Sequence, residues 1–119
     1  MGGYAAFRFS EPLNLDKVMA FVPQYSIDHA LAPFESRWGE VRDVVKFSGE
    51  PYSVRKSAEC HIIVGDERKD REHARLIQEG NPLANITVHR IGCGRHLILK
   101  DLQTRLILRD VIRALPALN

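Results

Sequence analysis

Two short runs of mostly β-branched residues constrain most strongly what this chain can fold into. Residues 60–64 stop at a glycine that precedes Asp66, and residues 86–91 stop at a glycine and lead to His96. Apolar runs of this length that end at glycine are typical of strands in a parallel sheet. If the two strands are neighbours, their carboxyl ends lie at the same edge, where open α/β sheets bind ligands. The pattern therefore predicts an acid and a histidine that face each other, which are two parts of a hydrolytic triad.

A third apolar run and two helix patterns complete the predicted layout. Residues 18–22 are apolar throughout and end at a proline, which predicts the first strand. A helix is expected over residues 71–78 with Asp70 as its N-cap, and a long helix should follow the third strand and end at Pro116. This alternation predicts one α/β domain over residues 1–119. We expect a three-layer sandwich with a short parallel sheet of about three strands, in sequential order, flanked by helices.

The amino-terminal residues carry a separate signal. Gly2 and Gly3 lead into a helix-like run that closes before Pro12. Because glycine has no Cβ, two glycines at a helix start allow another part of the backbone to approach closely.

The segment between the first two predicted strands has no clean hydrophobic period. A short helical piece is expected over residues 33–38. The aromatic residues of the segment, which include Tyr25, Trp38 and Tyr52, could cover a pocket, although packing is the more common role of such side chains.

The charges of the chain are balanced and interleaved. There are 17 basic and 15 acidic residues, which give a net charge of +2, and acidic residues are threaded through the basic cluster at positions 68–75. Because the local field largely cancels, nucleic acid is not an expected partner. No apolar run approaches the roughly 20 residues that span a bilayer, and the first residues show no secretory pattern. We therefore expect no membrane partner and a cytoplasmic location.

The two cysteines do not have the spacing of a metal site. Cys93 and His96 would need two further ligands, which no nearby spacing supplies. In a reducing compartment, Cys60 and Cys93 are expected to be buried thiols rather than a disulfide. Neither a metal nor a cofactor is therefore predicted.

The order of these motifs resembles the carboxyl-terminal half of an α/β-hydrolase. In that family the nucleophilic serine lies in a G-x-S-x-G turn, an acid follows a later strand, and a histidine follows the last strand. Asp66 and His96 occur in that order, and Met1-Gly2-Gly3 resembles the residues after the nucleophile in turns that read serine, methionine, glycine, glycine. On this alignment the serine would directly precede Met1, whose backbone N–H would help to bind the oxyanion.

The resemblance implies a serine hydrolase-like protein. It would hydrolyse, or transfer the acyl group of, a small-molecule ester, thioester or amide. Because the nucleophile is not among the 119 residues, the chain is expected to be a fragment or a mis-started form that is inactive as written.

Several carboxylates could be the acid of this site. Asp66 is the leading candidate, because it comes directly after the glycine that ends the second strand. Glu67 and Asp70 compete, since the family often places its acid a few residues beyond that glycine, where Arg68 stands. Asp28 is a lesser candidate, because some members of the fold carry the acid after the preceding strand.

Two other histidines are expected to have structural roles. His89 lies inside the third predicted strand, where a packed or hydrogen-bonded side chain is the common outcome. His61 begins the second strand, which is the end away from the predicted site.

A non-enzymatic module is the alternative function. In a sheet of only three strands the first strand has an unpaired edge, which invites pairing with a second copy of the chain. A homodimer or higher oligomer is therefore expected.

Overall fold

Three parallel strands and five helices make up the part of the chain that the computed structural model describes, which is residues 2–42, 52–92, 98–104 and 108–117. Their order and bounds are α1 (Gly2–Arg8), β1 (Lys17–Phe21), α2 (Gly39–Arg42), β2 (Glu59–Val64), α3 (Arg68–Gly80), β3 (Asn85–Arg90), α4 (Ile98–Thr104) and α5 (Leu108–Ala117). The two runs of β-branched residues form β2 and β3, and residues 18–22 form most of β1. The predicted strands are confirmed to within one or two residues at each end.

The strands form one sheet in the order β1-β2-β3, and both pairings are parallel. Val18 pairs with Cys60, and Cys60 pairs with Ile86, so the three apolar runs lie in register. The predicted parallel sheet in sequential order, with its α/β class, is confirmed. Its carboxyl ends therefore lie at one edge, as open α/β sheets require for a site there.

Helices cover both faces of the sheet, because successive side chains of a strand point to opposite faces. One face packs against α1 and α3, and its buried apolar residues include Phe7, Val18, Ala20, Cys60, Ile62, Val64, Ala74 and Ile77. The opposite face packs Ile63 of β2 against Leu102 of α4, and apolar residues of α5 lie beside them. The result is a layer of helices on each side of a central sheet.

Helix α3 begins earlier than the sequence predicts. Its N-cap is Glu67, whose side chain accepts a hydrogen bond from the backbone N–H of Lys69, so the predicted cap at Asp70 is wrong. Asp70 lies in the first turn and is buried, and its carboxylate accepts a hydrogen bond from Arg37 at 2.8 Å. A charged partner 33 residues away therefore decides where this side chain points, and local capping preference does not.

One further helix prediction is wrong in position, and another is confirmed. Residues 33–38 lie in turns and irregular chain, and the nearest helix, α2, begins at Gly39. Helix α5 ends at Ala117, within one residue of the end predicted at Pro116. A proline this close to a helix end removes only one hydrogen bond of the last turn, which lowers its power to stop the helix.

None of the described helices could cross a membrane. The longest of them, α3, has 13 residues, whereas a span needs about 20 apolar ones. Its two faces also differ, because Ala74 and Ile77 are buried in the core while Arg75 and Glu79 are exposed.

Candidate functional site

Asp66 lies at the carboxyl edge of the sheet, two residues beyond the end of β2. Its Oδ1 accepts a hydrogen bond from Nη2 of Arg90, the last residue of β3, at 3.1 Å. Both side chains are about half exposed, so the pair is screened by water and leaves the carboxylate accessible. His96 and Met1 lie outside the described residues, so the predicted contact between Asp66 and His96 stays a prediction.

The other candidate acids have structural partners. Glu67 caps α3, as described above. Asp28 is exposed and closes a local turn, because its Oδ1 accepts the backbone N–H of Ala30 at 2.9 Å while its own N–H donates to Ser26. Asp70 belongs to a buried ionic network. Of the four carboxylates, Asp66 alone stands beside the ends of two neighbouring strands.

The network that holds Asp70 is built around Arg37. The guanidinium of Arg37 donates to both carboxylate oxygens of Glu35, at 2.6 to 3.1 Å, and to Asp70. His73 also contacts Glu35, with 2.8 Å between Nε2 and Oε2. Burial by itself would raise the pKa of Glu35, but the hydrogen bonds from Arg37 and His73 outweigh it and lower the pKa to about 2.

The protonation of His73 follows from its two partners. The backbone N–H of Tyr25 donates to Nδ1 of His73 at 3.1 Å, so Nδ1 carries a lone pair. Nε2 then carries the proton and donates it to Glu35, which makes the imidazole neutral. Burial lowers the pKa of His73, in agreement with this form. Since Glu35 and His73 are fully buried, this acid and histidine join the 25–37 segment to α3 and cannot reach a substrate.

A cleft runs along β1 near its carboxyl end, and we call it the edge cleft. It has a volume of about 330 Å³ and is lined by the start of α1, residues 19–24, Trp38 and Leu99. Within the described part of the chain, β1 pairs only with β2, so the cleft follows the open side of an edge strand. None of these lining residues is charged.

The backbone is strained where β1 ends in the cleft. Val22 has a φ of 44°, which is rare for a β-branched residue. Its N–H donates to Ile63 O at 2.9 Å, which keeps β1 paired with β2 through this position. Strain of this kind persists only where the surroundings hold it, and it is concentrated at functional sites.

The close backbone approach predicted at the first glycines is confirmed at Gly3. A Cβ at this position would lie 2.9 Å from both Cα and Cβ of Pro23. Glycine therefore lets the start of α1 pack directly against the chain that leaves β1, and this contact forms one wall of the edge cleft. At Gly2 a Cβ would meet nothing within 4 Å.

Two residues that line the edge cleft carry buried polar atoms with no hydrogen-bond partner among the described residues. They are Nε2 and Oε1 of Gln24 and the indole Nε1 of Trp38, none of which is exposed to solvent. Gln24 is only 4% exposed. Trp38 was predicted from the sequence as one of the aromatic residues that could cover a pocket, whereas Gln24 was not predicted. The sequence feature that could have identified Gln24 is its position directly after the proline that ends the first apolar run.

A row of linked polar groups crosses the sheet diagonally, from Lys17 at the start of β1 to His89 near the end of β3. Nζ of Lys17 lies 3.3 Å from Glu59, and Glu59 Oε1 lies 2.6 Å from His61 Nε2. Nδ1 of His61 is in turn 2.9 Å from Nε2 of His89. The predicted hydrogen-bonded role of His89 is confirmed, whereas its partner was not foreseen because it lies 28 residues away.

The protons of this row can be assigned when His61 is neutral. An ionised Glu59 accepts the Nε2–H of His61, so Nδ1 of His61 has only a lone pair and His89 must donate to it. The hydrogen bond from His61 lowers the pKa of Glu59, which supports its ionised form. Burial, and then the nearby His61, lower the pKa of His89.

Cys60 has the buried, free thiol that was predicted. Burial raises the pKa of this thiol to about 11, so the reactive thiolate is not populated near neutral pH. The described residues contain no group of three metal-binding side chains. Cys93 lies outside the described residues.

A larger groove, of about 470 Å³, lies against α4 and α5. It is lined by Leu108 and Ile112, with Gln103 and two arginines around them. No acid, histidine or thiol lines it among the described residues.

The carboxyl edge of the sheet therefore combines an accessible acid, a strained strand end and a neighbouring cleft. This combination is typical of a ligand-binding edge in an open α/β sheet. No protein-family model, curated protein or solved structure matches this chain.

Proposed function

We propose that this chain carries the acid and histidine half of a cytoplasmic, serine hydrolase-like site. The substrate would be an ester, thioester or amide, and the nucleophilic serine would come from outside residues 1–119. The observation that carries the proposal is the position of Asp66, which stands beyond β2 and contacts the last residue of β3. His96 follows β3 in the chain, so a short connection is enough to bring it to the same edge.

The choice of Asp66 over the other carboxylates is supported by their contacts. Asp70 is buried and held by Arg37, Glu67 caps α3, and Asp28 closes its own turn. Among the described residues, Asp66 has only the exposed guanidinium of Arg90 as a partner. Water can replace this guanidinium at a small cost in free energy.

In the proposed reaction, a serine hydroxyl oxygen bonds to the acyl carbon while His96 takes the hydroxyl proton. The bond to the leaving group then breaks, and His96 passes the proton to that group. Water attacks the acyl-serine in the same way and releases the acid. Asp66 would orient His96 and stabilise its charged form, and the backbone N–H of Met1 would help to bind the oxyanion.

The test begins with the DNA upstream of the Met1 codon. An in-frame continuation that encodes Gly-x-Ser is expected, and the chain extended by it should be labelled by a fluorophosphonate probe. Labelling should disappear in His96→Ala and fall at least a hundredfold in Asp66→Asn, because the base is lost or disoriented. The controls are His29→Ala and Asp110→Asn, which change an exposed histidine and an exposed acid. Labelling that survives His96→Ala would contradict the proposed role of His96.

A second candidate function is pairing through the edge of β1, in a homodimer or higher oligomer. The observation that favours it is that β1 has a strand neighbour on one side only within the described residues. Light scattering after size exclusion at micromolar concentration should then give at least twice the mass of the chain. A monodisperse monomer would count against this candidate and would leave the hydrolase-like proposal intact.

A further inference from the structure

We infer that the groove between α4 and α5 binds a small anionic amphiphile, of which a fatty-acid carboxylate is the simplest example. We call this site the helix groove, and its described lining residues are Gln103, Leu108, Arg109, Ile112 and Arg113. None of them belongs to the proposed triad, so the inference does not depend on the proposed function.

The apolar part of the helix groove is the first reason. Leu108 and Ile112 are four positions apart on α5, so their side chains lie on the same side of the helix, about 6 Å apart along its axis. Leu108 is partly buried and packs against the core cluster of Ile63 and Leu102, whereas Ile112 is 41% exposed. The core therefore continues along α5 into an apolar strip that solvent reaches, and an aliphatic chain could cover this strip.

A basic row runs beside the apolar strip. Arg109 and Arg113 are also four positions apart, and each follows one of the two apolar residues by one position, so the two rows run side by side along α5. Both arginine side chains are exposed. Neither guanidinium forms an ion pair with a described acid, and no acid lines the helix groove among the described residues. Each guanidinium can therefore turn toward an anion at the rim.

This pairing of an apolar strip with two guanidiniums selects the head group of the ligand. The N–H donors of an arginine match a carboxylate in a two-pronged geometry, and such charge-assisted hydrogen bonds are about twice as strong as neutral ones. A neutral head group would gain no charge-assisted bond, and a cationic one would be repelled. The carboxylate would therefore lie on the row of Arg109 and Arg113 while the aliphatic tail covers Leu108 and Ile112.

The size of the helix groove favours a small molecule over a protein or a membrane. Its volume of about 470 Å³ lies within the range of about 300–1,000 Å³ that is usual for small-molecule sites. Its described apolar floor consists of two side chains, whereas a stable protein interface uses about 20–30 residues on each side. Helix α5 has 10 residues, whereas many helices that lie in membrane surfaces have about 20–30.

The experiment uses the chain as it is and compares three probes. Octanoate, octanol and acetate are titrated against isotope-labelled protein, below the concentrations at which micelles form, and binding is followed by the amide chemical shifts. Octanoate should bind at one saturable site and shift amides of α4 and α5. Octanol lacks the charge and acetate lacks the tail, so each should bind at least about tenfold more weakly. Added salt should weaken the binding of octanoate, because exposed charges are screened.

Variants test the two halves of the helix groove separately. Ile112→Gln removes part of the apolar strip and should weaken octanoate binding at least about fivefold. Leu83→Gln, which changes an exposed apolar residue outside the groove, is its control. Arg109→Gln combined with Arg113→Gln should abolish the preference for octanoate over octanol. The control for this pair is Arg68→Gln, at an exposed position in the first turn of α3.

Three results would overturn the inference. They are the absence of saturable octanoate binding, equal binding of octanoate and octanol, and shifted amides that lie outside α4 and α5. Two other occupants would show themselves if octanoate does not bind. Co-sedimentation with vesicles of phosphatidylcholine and phosphatidylglycerol, or self-association, that Ile112→Gln abolishes would then assign the groove to a membrane surface or to a second copy. If a variant does not fold by circular dichroism, the comparison of octanoate with octanol decides the question in the unmodified chain.

Discussion

Nδ1 of His61 lies 2.9 Å from Nε2 of His89, and this contact joins the side chains of β2 and β3 on one face of the sheet. His61 pairs in register with Thr87 and not with His89, so the two imidazoles meet diagonally. Diagonal neighbours in a sheet are within reach when the side chains are long or aromatic. The contact links β3 to Glu59 and Lys17 through a continuous row of polar groups.

Removing this link should weaken the sheet. His89→Leu leaves Nδ1 of the nearly buried His61 without its donor, and we expect the free energy of unfolding to fall by about 1 kcal/mol. A double-mutant cycle with His61→Leu, measured by urea unfolding, should give a coupling energy of similar size. If the effects of the two substitutions on the free energy of unfolding are additive, the hydrogen bond contributes nothing to stability. His29→Leu, at an exposed position, is the control.

Stability should fall as the pH is lowered from 7 to 5. Burial lowers the pKa of both His73 and His89 in the folded protein. The unfolded chain therefore takes up these protons first, near the ordinary pKa of about 6.5, and lowering the pH favours unfolding. Glu35, with a pKa of about 2, adds a further loss as the pH falls below its ordinary value of 4.5.

The variant His73→Gln separates the contribution of His73 to the pH dependence of stability from the contributions of the other groups. A glutamine can still donate to Glu35 and accept from the backbone of Tyr25, so the fold should persist while the pH dependence between 7 and 5 becomes weaker. Thermal melts followed by circular dichroism at several pH values measure this slope, with His29→Gln as the control. A stability that rises on acidification over this range would contradict the assignment of a neutral His73.

Arg37→Met should be strongly destabilising. The guanidinium is the cationic partner of two buried carboxylates, Glu35 and Asp70. Its removal leaves buried charges uncompensated, which typically costs about 3–5 kcal/mol. Arg75→Met is the matched control, because Arg75 also pairs with two acids, but on the exposed face of α3. Urea midpoints that shift equally in the two variants would show that burial of the network has no energetic consequence.

Gly3→Ala and Gly2→Ala form a second matched pair. At Gly3 the new methyl group would lie 2.9 Å from backbone and side-chain atoms of Pro23, so α1 must shift, at a cost of about 1–3 kcal/mol. At Gly2 the methyl group meets nothing, and the gain in helix propensity should leave stability unchanged or slightly higher. Thermal unfolding of both variants measures the difference. A Gly3→Ala variant as stable as Gly2→Ala would argue against the close packing of α1 on Pro23.

Much of the sheet could be predicted, whereas most of the candidate site could not. Residues 60–64 and 86–91 are rich in β-branched residues and each run ends at a glycine, which favours strands. Gln24 and Arg37 have no comparable local signal, because a single polar residue in an irregular segment can face solvent or the interior. Their roles depend on which groups the fold brings to them.

The sequence by itself determined the strands, their parallel order and the position of Asp66 at the carboxyl edge, since these follow from local apolar patterning and from the handedness of crossovers. Only the tertiary structure decided the partners of the polar side chains. Asp70 pairs with Arg37 rather than capping α3, and His61 meets His89 rather than standing alone. Such contacts join residues about 30 positions apart, and their energies depend on burial, which no local pattern encodes.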